Sequence, residues 1–234
     1  MRTKVLLCAA ALAASLATSM AQNVYSLNVV GYYNVTVPQN GLALIANQLN
    51  TTNNEIQYVI PNAADFTILF KFTGGGFTST TFTGSDQFGN GWDQPNITMN
   101  PGEAAFLYDQ GNTPGGQTLT FVGTVLQGSL SNNLPLNHIA FTSYMVPVAT
   151  TLDGVNGDPT VTSSMQVPGE DFDTVYTYNG GYSTTTYEGT DQFGNGWDYD
   201  GTGAGPTIPV GHGFAYLKSP SSVEHAWVAS FTVQ

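Results

Sequence analysis

Positive charge is nearly absent from this chain: Arg2, Lys4, Lys71 and Lys218 stand against sixteen Asp and Glu residues, a formal charge of −12 over 234 residues. Phosphate backbones and anionic lipid are held by clustered Lys and Arg, so nucleic acid and phosphorylated ligands are excluded as partners. Cysteine is nearly missing too. Cys8 is the only one, and no disulfide within the chain can contribute to stability. Long apolar runs are a third absence: beyond the N-terminal segment none reaches the ~18 residues of a membrane-crossing helix, and no membrane span is expected. Catalytic signatures are a fourth. The chain has no G-x-S-x-G elbow, no H-E-x-x-H, no P-loop and no dinucleotide glycine pattern. His138, His212 and His225 have no metal-ligand spacing. Paired carboxylates are the one catalytic device left open, because their pairing is spatial.

At the N-terminus, Arg2 and Lys4 precede the apolar run "VLLCAAALAASLA", and Ser19, Met20 and Ala21 follow it. A basic start, a short apolar stretch and a small-residue exit form the pattern of a secretory signal peptide, here over residues 1–21. The exported chain would begin at Gln22 without cysteine, with Lys71 and Lys218 facing sixteen carboxylates, a formal charge of −14. The expected location is secreted: extracellular, cell-surface or periplasmic. Acidity of this size keeps an exported protein soluble.

The chain repeats itself. "GGFTSTTFTGSDQFGNGWD", from Gly75 to Asp93, returns at an offset of 105 as "GGYSTTTYEGTDQFGNGWD", from Gly180 to Asp198. Upstream, "FTILFKF" from Phe66 pairs with "FDTVYTY" from Phe172. Downstream, "NPGEAAFLY" from Asn100 pairs with "PVGHGFAYL" from Pro209, and "LTFVGTVLQ" from Leu119 with "HAWVASFTV" from His225. We read two tandem units, residues 22–127 and 128–234. No charged or Pro/Ser-rich spacer lies between them, so they are expected to pack closely.

Inside each unit the apolar period is two. Phe66, Ile68, Phe70 and Phe72 alternate with Thr67, Leu69 and Lys71, the pattern of a strand with one face buried. Gly, Asn, Pro and Asp cluster between such runs. The best helical candidate, "NNEIQYVIPNAADF", is stopped by Pro61. The expected fold is all-β: two antiparallel β-sandwich or partly closed barrel repeats.

"NVYSLNVVGYYNVTVPQNGLALIANQL", an aromatic strand, a Trp-containing loop, a "PGE" turn and "LTFVGTVLQG" together resemble a family of secreted tandem-repeat proteins of verrucomicrobial bacteria. The likeness spans nearly the whole exported chain. It implies export and an all-β repeat, and it implies no chemistry. The family's usual "PGEGFF" reads "PGEAAF" in the first copy and "VGHGFA" in the second, so a role of Glu103 does not carry over to His212.

The most closely repeated feature is the loop "DQFGNGWD". Asp86, Asn90 and Asp93, with Asp191, Asn195 and Asp198, offer oxygen ligands on a glycine-rich turn, a partial match to a Ca²⁺ loop. Phe88 and Phe193 stand where such a loop places Asp or Asn, and Ile97 and Thr202 stand where it places the bidentate glutamate. A structural reading competes: Asp and Asn make side-chain turns, the glycines supply positive φ, and Trp92 pins the loop to the core. A third reading exposes Trp92 and Trp197 to stack on sugars beside Asn90 and Asn195, with Tyr32, Tyr33, Tyr108, Tyr182 and Tyr199 as further aromatics near turns.

Duplication argues against catalysis, since an active site is usually single. The expected role is non-catalytic, structural or adhesive, in the extracellular space; the alternative is calcium-assisted binding of extracellular polysaccharide. The second copy ends at "ASFTVQ" with nothing after it. Its last strand is therefore expected to leave a free edge, the motive for self-association.

Overall fold

The computed structural model describes residues 29–84, 91–111, 113–136, 138–152, 165–189, 196–198, 205–220 and 225–233. Among the described residues the chain is all-β, with several antiparallel sheets, none closed into a barrel. Its first half comprises β1 (Val30–Val37), β2 (Leu42–Ala46), a single helical turn α1 (Ile56–Val59), β3 (Ile68–Phe72), β4 (Phe77–Thr81), β5 (Ala104–Tyr108) and β6 (Gln117–Thr124). The second comprises β7 (Gly128–Leu134), β8 (Ala140–Thr142), β9 (Thr150–Thr151), β10 (Thr174–Tyr178), β11 (Tyr182–Tyr187), β12 (Trp197–Asp198), β13 (Thr207–Ile208), β14 (Phe214–Leu217) and β15 (His225–Phe231).

The two halves pair their strands in the same order. One sheet runs β2-β5-β3-β4; the other runs β8-β14-β10-β11, with β12 added at the edge. In each half the first and last long strands form a separate ribbon, β1 with β6 and β7 with β15. The alternation of β1 and β6 explains the ribbon: Tyr33, Val35 and Val37 face in beside Leu119 and Phe121, while Tyr32, Asn34 and Thr36 face out. Tyr33 and Phe121 sit directly opposite in register, their rings stacked at 4.8 Å. The Tyr33 hydroxyl donates to the Ala46 carbonyl at 2.7 Å and accepts the Gln48 amide at 3.0 Å, tying the ribbon to the end of β2. Burial pushes its pKa above the usual tyrosine range.

The runs "LALIA" and "AAFLY" are apolar without alternation because β2 and β5 are buried on both faces. Ala43, Ile45, Ala105 and Leu107 belong to the main core; Leu44, Ala46, Ala104 and Phe106 form a second cluster together with Phe70, Phe141 and Tyr178. That second cluster lies between the halves. Phe106 meets Phe141 at 5.5 Å and Tyr178 at 5.3 Å, both edge to face.

Backbone bonds cross the same seam. The Ala46 amide donates to Gly211 at 2.8 Å, Gly213 donates to Leu44 at 3.1 Å, and Ser143 donates to Gly102 at 2.9 Å. Isolated bridges join Ile45 with His212 and Glu103 with Thr142. Glu103 and His212 are aligned positions, so the turn of each half reaches the corresponding strand of the other.

One expectation needs correction. The core face of β3 is not the aromatic one: Leu69 and Thr67 are buried, whereas Ile68, Phe70 and Phe72 are half-buried and Phe66 is exposed. The aromatic face looks toward the seam, where Phe72 meets Phe141 at 5.6 Å, and so it is covered only in part. The terminal strand has a partner as well. β15 pairs with β7 from His225 to Phe231 as β6 pairs with β1, so one of its edges is covered, while the other meets no strand among the described residues.

Candidate functional site

Each repeated loop grows from a hairpin whose base is closed by two glycines. Gly91 donates to the Gly84 carbonyl at 2.8 Å and accepts from Thr83 at 2.9 Å; Gly196 donates to Gly189 at 2.7 Å and accepts from Glu188 at 2.9 Å. Gly84, Gly91, Gly189 and Gly196 lie at φ +68, +88, +56 and +72, the left-handed region that glycine enters without steric cost. Asp86, Asn90, Asp191 and Asn195 lie outside the described residues, as does the side chain of Asp198.

The tryptophans follow directly, and neither is presented to solvent. Trp92 is 5% exposed and Trp197 fully buried. Trp92 Nε1–H donates to the Ile60 carbonyl at 2.8 Å, and Trp197 Nε1–H to Val167 at 3.1 Å. Phe82 packs edge-on against Trp92 at 5.4 Å, and Tyr187 against Trp197 at 5.3 Å. This corrects the assignment of Trp92 and Trp197 as sugar-stacking residues. Burying an indole requires a partner for its N–H, and a main-chain carbonyl on the facing segment supplies one in each half.

Asp93 is exposed and donates its backbone N–H to Thr81 at 2.9 Å. Among the described residues no three His, Cys, Asp or Glu side chains converge on a cation position. Of the tyrosines near turns, Tyr33 is buried, Tyr108 half-buried and Tyr199 outside the described residues, while Tyr32 and Tyr182 are exposed.

Sequence reasoning missed the residues beside the loop base. In both halves an aspartate precedes the aligned phenylalanine, Asp65–Phe66 and Asp171–Phe172. A Cβ on Gly84 would lie 2.0 Å from Asp65 Oδ1, and one on Gly189 2.6 Å from Asp171 Oδ1. Each carboxylate therefore rests on a loop-base glycine. Each also lines an open depression: about 720 Å³ in the first half, with Gln57, Asn62, Phe82 and the edge of Trp92, and about 440 Å³ in the second, with Glu170 and Tyr187. The signal was present in the sequence as a repeated Asp-Phe pair.

A buried polar pair differs between the halves. In the first, Gln117 Nε2 donates to Thr67 Oγ1 at 2.8 Å and to Asp109 Oδ2 at 3.1 Å. The aligned positions hold Asp173 and Lys218, which face each other at 3.6 Å with both side chains fully buried. Asp173 also accepts from Tyr216 Oη at 2.6 Å and from the Ser219 amide at 2.7 Å. Burial, reinforced by the bonded Asp173 carboxylate, holds the Tyr216 hydroxyl far above its usual range. His212, at the seam, is lowered by burial. Compared with protein-family profiles, curated proteins and solved structures, the chain matches none.

Proposed function

We propose that this chain is an exported, non-catalytic protein with a structural or adhesive role in the extracellular space. The observation that supports it best is the duplicated depression at aligned positions, lined in turn by Asp65 and by Asp171. A chemical step needs one assembled constellation, whereas adhesion gains from the same modest contact made twice. The seam supports the same reading, because reciprocal backbone bonds between Gly102 and Ser143 and between Ala46 and Gly211 hold the two surfaces on one body. Export rests on the pattern of residues 1–21, and the acidity of the chain suits an exposed, soluble surface.

The test is adsorption. Residues 22–234 fused to a fluorescent reporter should adhere saturably to cell-envelope or polysaccharide particles, or sediment as oligomers. A fusion that stays monomeric and unadsorbed across the concentration range overturns the adhesive role. Release of reducing ends from any polysaccharide overturns the non-catalytic part.

A further inference from the structure

Phe66 and Phe172 are the places where the fold departs furthest from local preference. Each is the third residue of a turn, closed by Thr67 donating to Ala64 at 3.1 Å and by Asp173 donating to Glu170 at 2.9 Å. Their φ values are +64 and +72. Glycine and asparagine are ordinary at such a position; for a bulky residue it is an outlier. Their own amides are fixed, Phe66 to the Phe82 carbonyl at 2.7 Å and Phe172 to Tyr187 at 2.8 Å.

The core does not explain the choice of side chain. Phe66 is 41% exposed and Phe172 70%. At two aligned positions the chain holds a strained backbone and leaves an aromatic ring in water. Persisting strain of this kind collects where a ligand is met. In each half the preceding residue is the carboxylate that lines the depression.

We propose that Phe66 with Asp65, and Phe172 with Asp171, are paired subsites for a neutral polysaccharide. The face of a phenyl ring suits the C–H face of a pyranose, and a carboxylate accepts hydroxyl protons, assisted by Gln57 and Asn62 in the first depression and by Glu170 in the second. Neither depression is lined by a cationic side chain. With a chain charge of −12, sulfated and uronic polymers are repelled. Two subsites on one body favour a polymer over a free sugar wherever one strand reaches both, because the second contact is then intramolecular. The proposal rests on the adhesive reading and names its ligand.

The purified chain is pelleted with cellulose, chitin, β-1,3-glucan, mannan and xylan. Saturable retention on at least one of them is expected. Phe66→Gly with Phe172→Gly should lower that retention at least about tenfold by removing both contacts and their avidity, whereas Phe172→Trp should keep it. Glycine fits the backbone at both sites, so the double variant should melt no lower than the parent, which separates lost binding from lost folding. No retention on any of the five polymers, or retention unchanged in the double glycine variant, overturns the proposal. Displacement by polylysine but not by soluble oligosaccharide also overturns it, in favour of a basic peptide. Adhesion to cell-envelope particles that survives the double variant removes these subsites and leaves the adhesive role intact.

Discussion

The Ala46 amide of the first half donates to the Gly211 carbonyl of the second at 2.8 Å, and two residues further on there is no room for a methyl group. A Cβ on Gly213 would lie 2.3 Å from Ala104 Cβ and 3.0 Å from the Thr142 carbonyl. Gly213→Ala should therefore destabilise the chain by about 1–3 kcal/mol, the usual cost of overpacking. Ala104→Gly in the same chain should recover part of that loss. Thermal melts of the two single variants and the double variant form a cycle, and strict additivity would show that the seam does not pack this way.

At the turn before β10 the expectation runs in the opposite direction. A left-handed non-glycine residue costs about 1–3 kcal/mol, and the Phe172 ring is 70% exposed, so little packing is lost with it. Phe172→Gly should leave stability unchanged or raise it by up to ~1 kcal/mol, net of the added freedom of the unfolded chain. A denaturant midpoint well below that of the parent would show that the ring has a structural load.

The tryptophans should behave as core residues. Trp197→Ala is expected to cost about 3–5 kcal/mol, part of it from the Val167 carbonyl losing its indole donor. Trp92→Phe should cost less and, although Trp92 borders the first depression, leave polysaccharide retention largely unchanged, because the indole is only 5% exposed. A folded Trp92→Phe chain that lost retention would return the indole to the binding surface.

His212 sets a pH dependence. Burial lowers its folded pKa below the ordinary value of 6.5, so the unfolded chain takes up the proton first. The stabilising contribution is complete above pH ~6.5 and falls as the pH drops from there toward the folded pKa. His212→Gln should flatten the melting temperature between pH 7 and the onset of carboxylate titration near pH ~4.5. A slope that persists unchanged in this variant assigns the effect elsewhere.

The buried pair should be asymmetric. Asp173→Ala leaves the Lys218 ammonium fully buried without its counter-charge, at a cost of about 3–5 kcal/mol. Lys218→Met should cost less, because Asp173 keeps the Tyr216 hydroxyl and the Ser219 amide as donors. Equal losses in chemical denaturation would contradict that ordering.

Legibility in the sequence followed the range of the physics. The alternation of β1 and β6, the unbroken apolar runs of β2 and β5 and the arrest of α1 before Pro61 are local, and each element lies where its own residues place it. The turns at Phe66 and Phe172 carry no glycine to mark them, so the period-two pattern of β3 continued one turn too far and gave the aromatic face to the core. The fate of the tryptophans depended on the Ile60 and Val167 carbonyls, 32 and 30 residues away. The lone pairs that would capture each indole could not be located from the loop itself.

The exchanged buried pair has a genetic corollary. The identical "DQFGNGWD" segments are natural sites for unequal crossing-over. A deletion joining Asp93 to Tyr199 would place Thr67 opposite Lys218, an ammonium buried without an anion. The reciprocal duplication, joining Asp198 to Gln94, would set Asp173 against Asp109, two carboxylates in one dry pocket. Both recombinants carry an electrostatic fault in the interior. Two exchanges, Thr67 against Asp173 and Asp109 against Lys218, would thus disfavour either change in copy number while the loop sequences stay the same.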